Sequence, residues 1–287
     1  GSGKRDHRDF ALWKLAKPGE PSWDSPWGTG RPGWHIECSA MSLKHFGEQF
    51  DIHGGGHDLR FPHHEAEIFQ SECCTGSEPV VGHWMHNGFV NVDGEKMSKS
   101  LGNFWTIRDA FEHHAPLALR YALLSVPYRN PIDLTPEFLE DAAIHFDRLV
   151  EAYGNSLSSD TESGADLSDA SERFTAAMND DFNTRAAIIE VQRVVSSSAG
   201  SDVAVWLEEQ AGNILGLLPS SDEVRSGLAQ ADSARAEVAE RVESLLAERE
   251  VARKSSDWGR ADEIRDELVS IGVIVEDGPD GPIWHLD

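Results

Sequence analysis

The sequence predicts two structural classes in one chain: an α/β region over residues 1–105, then an almost wholly helical region closing on a small αβ segment. Three observations predict this. Up to Trp105, short apolar runs alternate with glycine loops and short helical patterns. Beyond it, Phe138, Leu139, Ala142, Phe146, Leu149 and Tyr153 recur at the spacing of one helix face. Finally, Val273–Val275 and Ile283–Leu286 flank the turn-rich DGPDG, the pattern of a hairpin.

Taken in order, Trp34 to Phe46 reads as a helix stopped at Gly47, and Phe89 to Val92 as a short strand before the turn pair Asp93-Gly94. Proline at 62 is expected to open a helix that carries His63 and Glu67. Thr106 with Asp109 forms a capping pattern, and Thr135-Pro136 a cap followed by proline at the first helical position. Asn155 to Ser168 is an acidic linker or loop tip. Helical patterns occupy 169–178, 184–198 and 203–217. A second polar stretch, Pro219 to Asp232, precedes a long helix from Ser233 to about Ser255, and Trp258 to Ile271 forms another, stopped by Gly272. The expected division is 1–105, 106–154, 155–235 and 236–287.

Net charge is −25, from 50 acidic against 25 basic residues, only seven of them lysine. Such a surface repels nucleic acid at low salt. It suits either an acidic enzyme without a polyanionic partner or a protein of high salt, where the Debye length falls to about 3 Å. Scarce lysine with arginine retained favours the second, a halophile. Three cysteines, two adjacent, give no disulfide framework. No apolar run reaches the roughly 18 residues of a membrane span, and no secretory segment is present. The expected setting is cytoplasmic.

Several groups of residues carry chemistry. Lys96-Met97-Ser98-Lys99-Ser100 places two cations and two hydroxyls on a loop, which suits a nucleotide triphosphate whose charge is redistributed during reaction. A solvated lysine loop is the plainer alternative. Gly28 to Gly33 matches GxGxxG, but Ser-Trp-Asp-Ser-Pro-Trp precedes it where a dinucleotide site needs a strand. His53-Gly54-Gly55-Gly56 resembles an oxyanion loop, yet no GxSxG elbow occurs in the sequence. Cys38, near a helix N-terminus, is expected to have its thiolate favoured. His63 and Glu67, four residues apart, share a helix face. A thiolate, an imidazole and a carboxylate suit zinc; a core cysteine and a surface His–Glu pair remain open as the other reading.

With these residues assembled, the chain resembles cysteinyl-tRNA synthetases. The resemblance rests on DFALWK (9–14), GRPGWHIECSAM (30–41), DIHGGG (51–56), FPHHEAE (61–67), HNGFV (86–90), KMSKSLGN (96–103) and WGRADEIRDEL (258–268). It implies part of a class I Rossmann-type catalytic domain, a helical anticodon-binding bundle and a small C-terminal segment contacting tRNA. It implies one zinc ion, held by Cys38, His63 and Glu67, and ATP with Mg2+ as substrate. The family's fourth zinc ligand and its HIGH motif have no counterpart in this sequence, so the chain is expected to begin within the catalytic domain.

The implied reaction joins L-cysteine to tRNA(Cys) through a cysteinyl adenylate, with zinc rejecting serine by gripping sulfur. Lys96 and Lys99 are the implied catalytic residues. Lys99, Ser98, Met97, His53 and Gly55 are expected at ATP, and Trp34, His53 and Asp58 at the amino acid. Trp258, Arg260, Arg265 and Trp284 are the expected tRNA contacts, in a monomer. Two rivals stand beside this: a cysteine:sugar-amine ligase of the mycothiol type, and a non-catalytic tRNA-binding fragment or paralogue.

Overall fold

Thr106, Thr135, Asn183 and Ser220 each accept a hydrogen bond from a backbone N–H of the turn that follows, and a helix starts at each. The computed structural model describes residues 4–6, 8–92, 94–98, 102, 103, 105–255, 257–270, 273–278 and 281–286, except the side chains of 231, 232, 234–238, 254, 274–278 and 281–286. Its N-terminal part holds β1 (Trp13–Leu15), β2 (Gly30–Pro32), α1 (Trp34–Phe46), β3 (Phe50–Gly56), α2 (Glu65–Thr75), β4 (Val81–Asn87), β5 (Val90–Val92) and β6 (Glu95–Lys96). The helical part holds α3 (Ile107–His113), α4 (Pro116–Leu124), the short β7 (Ile132–Asp133), α5 (Pro136–Leu157), α6 (Ser168–Asn179), α7 (Thr184–Ser197) and α8 (Ser201–Leu207). It ends with α9 (Ser221–Lys254), α10 (Trp258–Ser270), β8 (Val273–Gly278) and β9 (Gly281–Leu286).

Strands β3 and β4 pair in parallel, from Phe50 opposite Val81 to Gly56 opposite Asn87, with α2 as the crossover between them. Parallel neighbours need such a crossover, because a tight turn reverses the chain. The GxGxxG segment leads elsewhere. Its Gly30 to Pro32 forms β2, antiparallel to β1, and Gly33 caps α1. Among the described residues its partner is the antiparallel β1, where a dinucleotide-binding turn follows a parallel strand.

Three sequence expectations shift. Pro62 does not open α2; residues Arg60–His64 form a separate irregular turn with Phe61 extended, and α2 proper begins at Glu65. Asn155 and Ser156 belong to α5, and Ser156 is buried there. The long helix starts at Ser221 rather than Ser233, because Ser220 and Glu223 form a complete capping box. Val224 and Leu228 at its start pack over Gly154, where an added Cβ would meet them at 3.4 and 3.3 Å.

One hydrophobic core runs from Ala118 through α5, α6, α7 and α8 to Val224, with Leu149, Phe174 and Leu207 fully buried. A second, separate cluster joins Val242 and Leu245 of α9 to Ile264, Leu268 and Val273. No described helix is long and apolar enough to cross a membrane.

Candidate metal and nucleotide site

The crossover loop after β3 folds its histidines inward. His63 and His64 are both buried at the foot of α2, and Glu67, in the first turn of the helix, is only 3% exposed. Carboxylates are almost never buried unpaired. Here Cys38, from the second turn of α1, meets His63 and Glu67: one donor atom from each lies within 4.8 Å of the others. The three residues predicted from separate stretches of sequence thus converge.

Their local geometry suits a cation. His63 Nδ1 lies 2.8 Å from His35 Nδ1, a hydrogen bond that orients the ring. Its Nε2 faces Glu67 Oε1 at 2.8 Å. Yet Glu67 Oε1 has no hydrogen-bond partner among the described residues, so this close approach lacks hydrogen-bond alignment. Two lone-pair donors that converge without sharing a proton are arranged as ligands of one ion are. Trp34 stacks on His63 at 4.5 Å between ring centres and leaves half of its own surface exposed.

The electrostatics correct one expectation. Burial, then the nearby carboxylates of Glu67 and Glu37, push the Cys38 thiol above its ordinary value. Its place near the N-terminus of α1 therefore does not by itself make Cys38 a favoured thiolate, and a neighbouring cation would be needed to lower it. Burial lifts Glu67 to about 7. It depresses His63, with help from the neighbouring His35 and His53, and takes His64 down to about 4. Neutral imidazoles are what metal coordination requires.

His53 on β3 stacks against Trp84 of β4 at 4.7 Å and points Nδ1 toward Glu67 Oε2 at 3.6 Å. Its ring contacts are Phe50, His64 and Trp84, none of them on the lysine loop. Gly55 gives His64 its space, since a Cβ there would lie 2.8 Å from His64 Cε1. Sequence reasoning missed His64, His35 and His86. The first hydrogen-bonds to the last, Nδ1 to Nε2, at 2.7 Å. The density of histidines between 53 and 86 was the available signal.

Across this cluster, Asp58 receives a 3.0 Å hydrogen bond from Lys96 Nζ, which also lies over the Phe89 ring at 3.9 Å. The ion pair joins the glycine loop to the lysine loop. Met97 donates its N–H to Val90 O and packs against the helical core, while Ser98 N–H bonds Asn103 Oδ1 at 2.9 Å. Asn103 closes the loop by donating to Lys96 O at 3.2 Å. Lys99 lies outside the described residues.

Of the expected RNA contacts, Trp258 and Arg265 are exposed on α10. Arg260 pairs with Glu248 and Glu263 at 3.2 and 3.1 Å. Trp284 falls in β9, and its side chain lies outside the described residues.

Comparison with known proteins bears on these features. Residues 1–144 match the family described as tRNA synthetases class I (C) catalytic domain, 173–197 the DALR domain, and 235–284 the cysteinyl-tRNA ligase anticodon binding domain. The chain is similar to the cysteine--tRNA ligase of Chromobacterium violaceum, 50% identical over 288 residues that cover 98% of this chain and 62% of that one. It is also similar to the cysteine--tRNA ligase of Laribacter hongkongensis, at 48% over 286 residues with the same coverage. The chain therefore spans about three fifths of the length of the curated relatives it matches.

Proposed function

The chain belongs to the class I (C) tRNA synthetase catalytic domain family, and from that premise we propose that it is part of an enzyme that ligates L-cysteine to tRNA(Cys). The observation that carries the proposal is the convergence of Cys38, His63 and Glu67 within 4.8 Å beside an exposed tryptophan. A generic amino-acid pocket has no need of a buried thiol, imidazole and carboxylate in one place. The 235–284 match supports tRNA over a sugar amine as the acceptor.

In the first step a carboxylate oxygen of cysteine attacks the α-phosphorus of ATP, bound with Mg2+, and pyrophosphate leaves. In the second, a hydroxyl of the terminal ribose of the tRNA attacks the activated carbonyl carbon, and AMP leaves. Lys96 balances charge on the departing pyrophosphate, and Asp58 aims its ammonium through the 3.0 Å bond. Lys99 shares that role, with Ser98 supplying a hydroxyl and Asn103 holding the loop's shape. Trp34 forms one wall for the amino acid, with His53 behind it on the metal side. Zinc held by Cys38, His63 and Glu67 would supply a soft Lewis acid for the substrate sulfur. An apolar pocket alone separates near-isosteres only about 10–200-fold.

Residues 1–105 form the catalytic part, 106–154 the region bracing it, 155–235 the anticodon-side bundle, and 236–287 the terminal tRNA contact. Trp258 and Arg265 offer stacking and phosphate contact there. The test is cysteine-dependent ATP–pyrophosphate exchange. It is expected in a protein of the relatives' full length and absent from the 287-residue chain alone, whose sequence holds no HxGH string. In the longer protein Lys96→Ala is expected to lower kcat by about 10²–10³-fold, the scale of losing one preorganised charge contact. Exchange stimulated equally by serine, or unaffected by the lysine change, would defeat the assignment.

A further inference from the structure

Glu67 has two oxygens, and each has a different histidine nearest to it. Oε1 lies 2.8 Å from His63 Nε2, and Oε2 lies 3.6 Å from His53 Nδ1. His53, His64 and Glu67 again bring one donor atom each within 4.8 Å of the others. Both His64 and Glu67 are 3% exposed, and His53 Nδ1 is buried without a hydrogen-bond partner among the described residues. His64 uses Nδ1 to bond His86, which leaves Nε2 for the cluster. Stacking fixes the rings: His53 lies flat on Trp84 at 4.7 Å, and His64 contacts the same indole at 4.8 Å.

We propose that Glu67 serves two metal seats, and that His53, His64 and Glu67 form a second one for a divalent transition-metal ion, bridged by the carboxylate to the sulfur-containing seat. The inference rests on the first seat only through the sharing of Glu67. Two imidazoles and one carboxylate oxygen form a donor set that suits zinc, cobalt(II) or nickel(II), with water completing the coordination. Tetrahedral zinc with nitrogen and oxygen ligands near 2.0–2.2 Å holds its donors about 3.3 Å apart, and His53 Nδ1 and Glu67 Oε2 already stand at 3.6 Å. A carboxylate between two cations is also the arrangement of two-metal centres spaced about 3.5–4 Å apart. The second seat accounts for a feature the first leaves unexplained: a buried imidazole nitrogen aimed at the far oxygen of Glu67.

Cobalt(II) titration of the protein tests this, because cobalt bound to thiolate shows an intense charge-transfer band that nitrogen and oxygen ligands do not produce. Wild type is expected to bind two equivalents by equilibrium dialysis, one of them with the thiolate band. His53→Gln, which keeps side-chain bulk, and His53→Ala should each bind one equivalent and retain the band, with circular dichroism confirming the fold. Cys38→Ser should lose the band and keep one equivalent. One equivalent with a full band in wild type and both His53 variants would overturn the second seat and leave the first intact. Absence of the band in wild type would overturn the first seat. Loss of one equivalent on changing His53 would still uphold the second.

Discussion

Glu67 shows how a single side chain holds two readings of a sequence together. As a helix residue four positions from His63 it looks like half of a surface pair; at 3% exposure it is the centre of a cluster. Its carboxyl is raised to about 7, while His64 is depressed to about 4 and His35, His53, His63 and His86 also lie below their ordinary value. The signs oppose each other. Without metal, the raised carboxyl favours the folded state at low pH, and this contribution is lost as pH rises from about 4.5 to about 7. The depressed histidines contribute stability that is lost as pH falls through the same range. Glu67→Gln in chelator-treated protein is therefore expected to steepen the rise of urea midpoint between about pH 4.5 and 6.5. A slope equal to wild type would contradict the burial argument. Separately, Cys38→Ala or His63→Ala is expected to weaken zinc binding by at least about 10–100-fold, the loss caused by removing even an outer supporting group. Elemental analysis showing unchanged metal content would remove both from the ligand set. The identities of these residues were readable in sequence. The raised thiol was not, since helix position suggests a dipole effect and only packing reveals the two carboxylates beside it.

At the level of elements, local signals worked where a cap or turn was decisive. Thr106, Thr135 and Gly47 mark ends that the structure keeps. They failed where polarity was mistaken for loop. The run after Pro219 is polar enough to resemble a linker, but Ser220 caps it and Val224 and Leu228 give it an apolar edge against α5. Ser220→Ala is expected to cost about 0.5–2 kcal/mol in denaturant unfolding, the range for losing a helix cap. No change in midpoint would show that packing alone starts α9. The lysine loop shows a related division. Its cations are evident in sequence, whereas the role of Asn103, which binds both Ser98 N–H and Lys96 O, is a matter of tertiary geometry.

Across the whole molecule, two cores share one helix. α9 contributes Val224 to the large cluster and Val242 and Leu245 to the small one. Separate cores linked by one continuous helix are expected to unfold in separable steps. Leu245→Ala should destabilise the C-terminal step by about 2–5 kcal/mol and leave the other in place, whereas Phe174→Ala should cost about 3–5 kcal/mol in the larger step. Hydrogen exchange resolved by segment distinguishes them; equal loss of protection in both regions would argue for a single cooperative unit. Between α6 and α7, Asp181 pairs with Arg129 and also accepts a hydrogen bond from the Tyr128 hydroxyl at 2.9 Å. Asp181 and Phe182 both adopt left-handed φ, 54° and 53°, a conformation costly for residues with side chains.

By itself the sequence determined the class of each half, the motifs and the chemical types of the clustered donors, because helical periodicity, caps and donor atoms are local properties. Tertiary structure alone decided that Cys38, His63 and Glu67 meet, that His53 and His64 sit on the far side of the same carboxylate, and that Lys96 answers to Asp58. Those facts depend on how β3, α2 and α1 pack, and on burial. Burial gives a carboxylate or a thiol a different proton affinity from the one its sequence neighbours suggest.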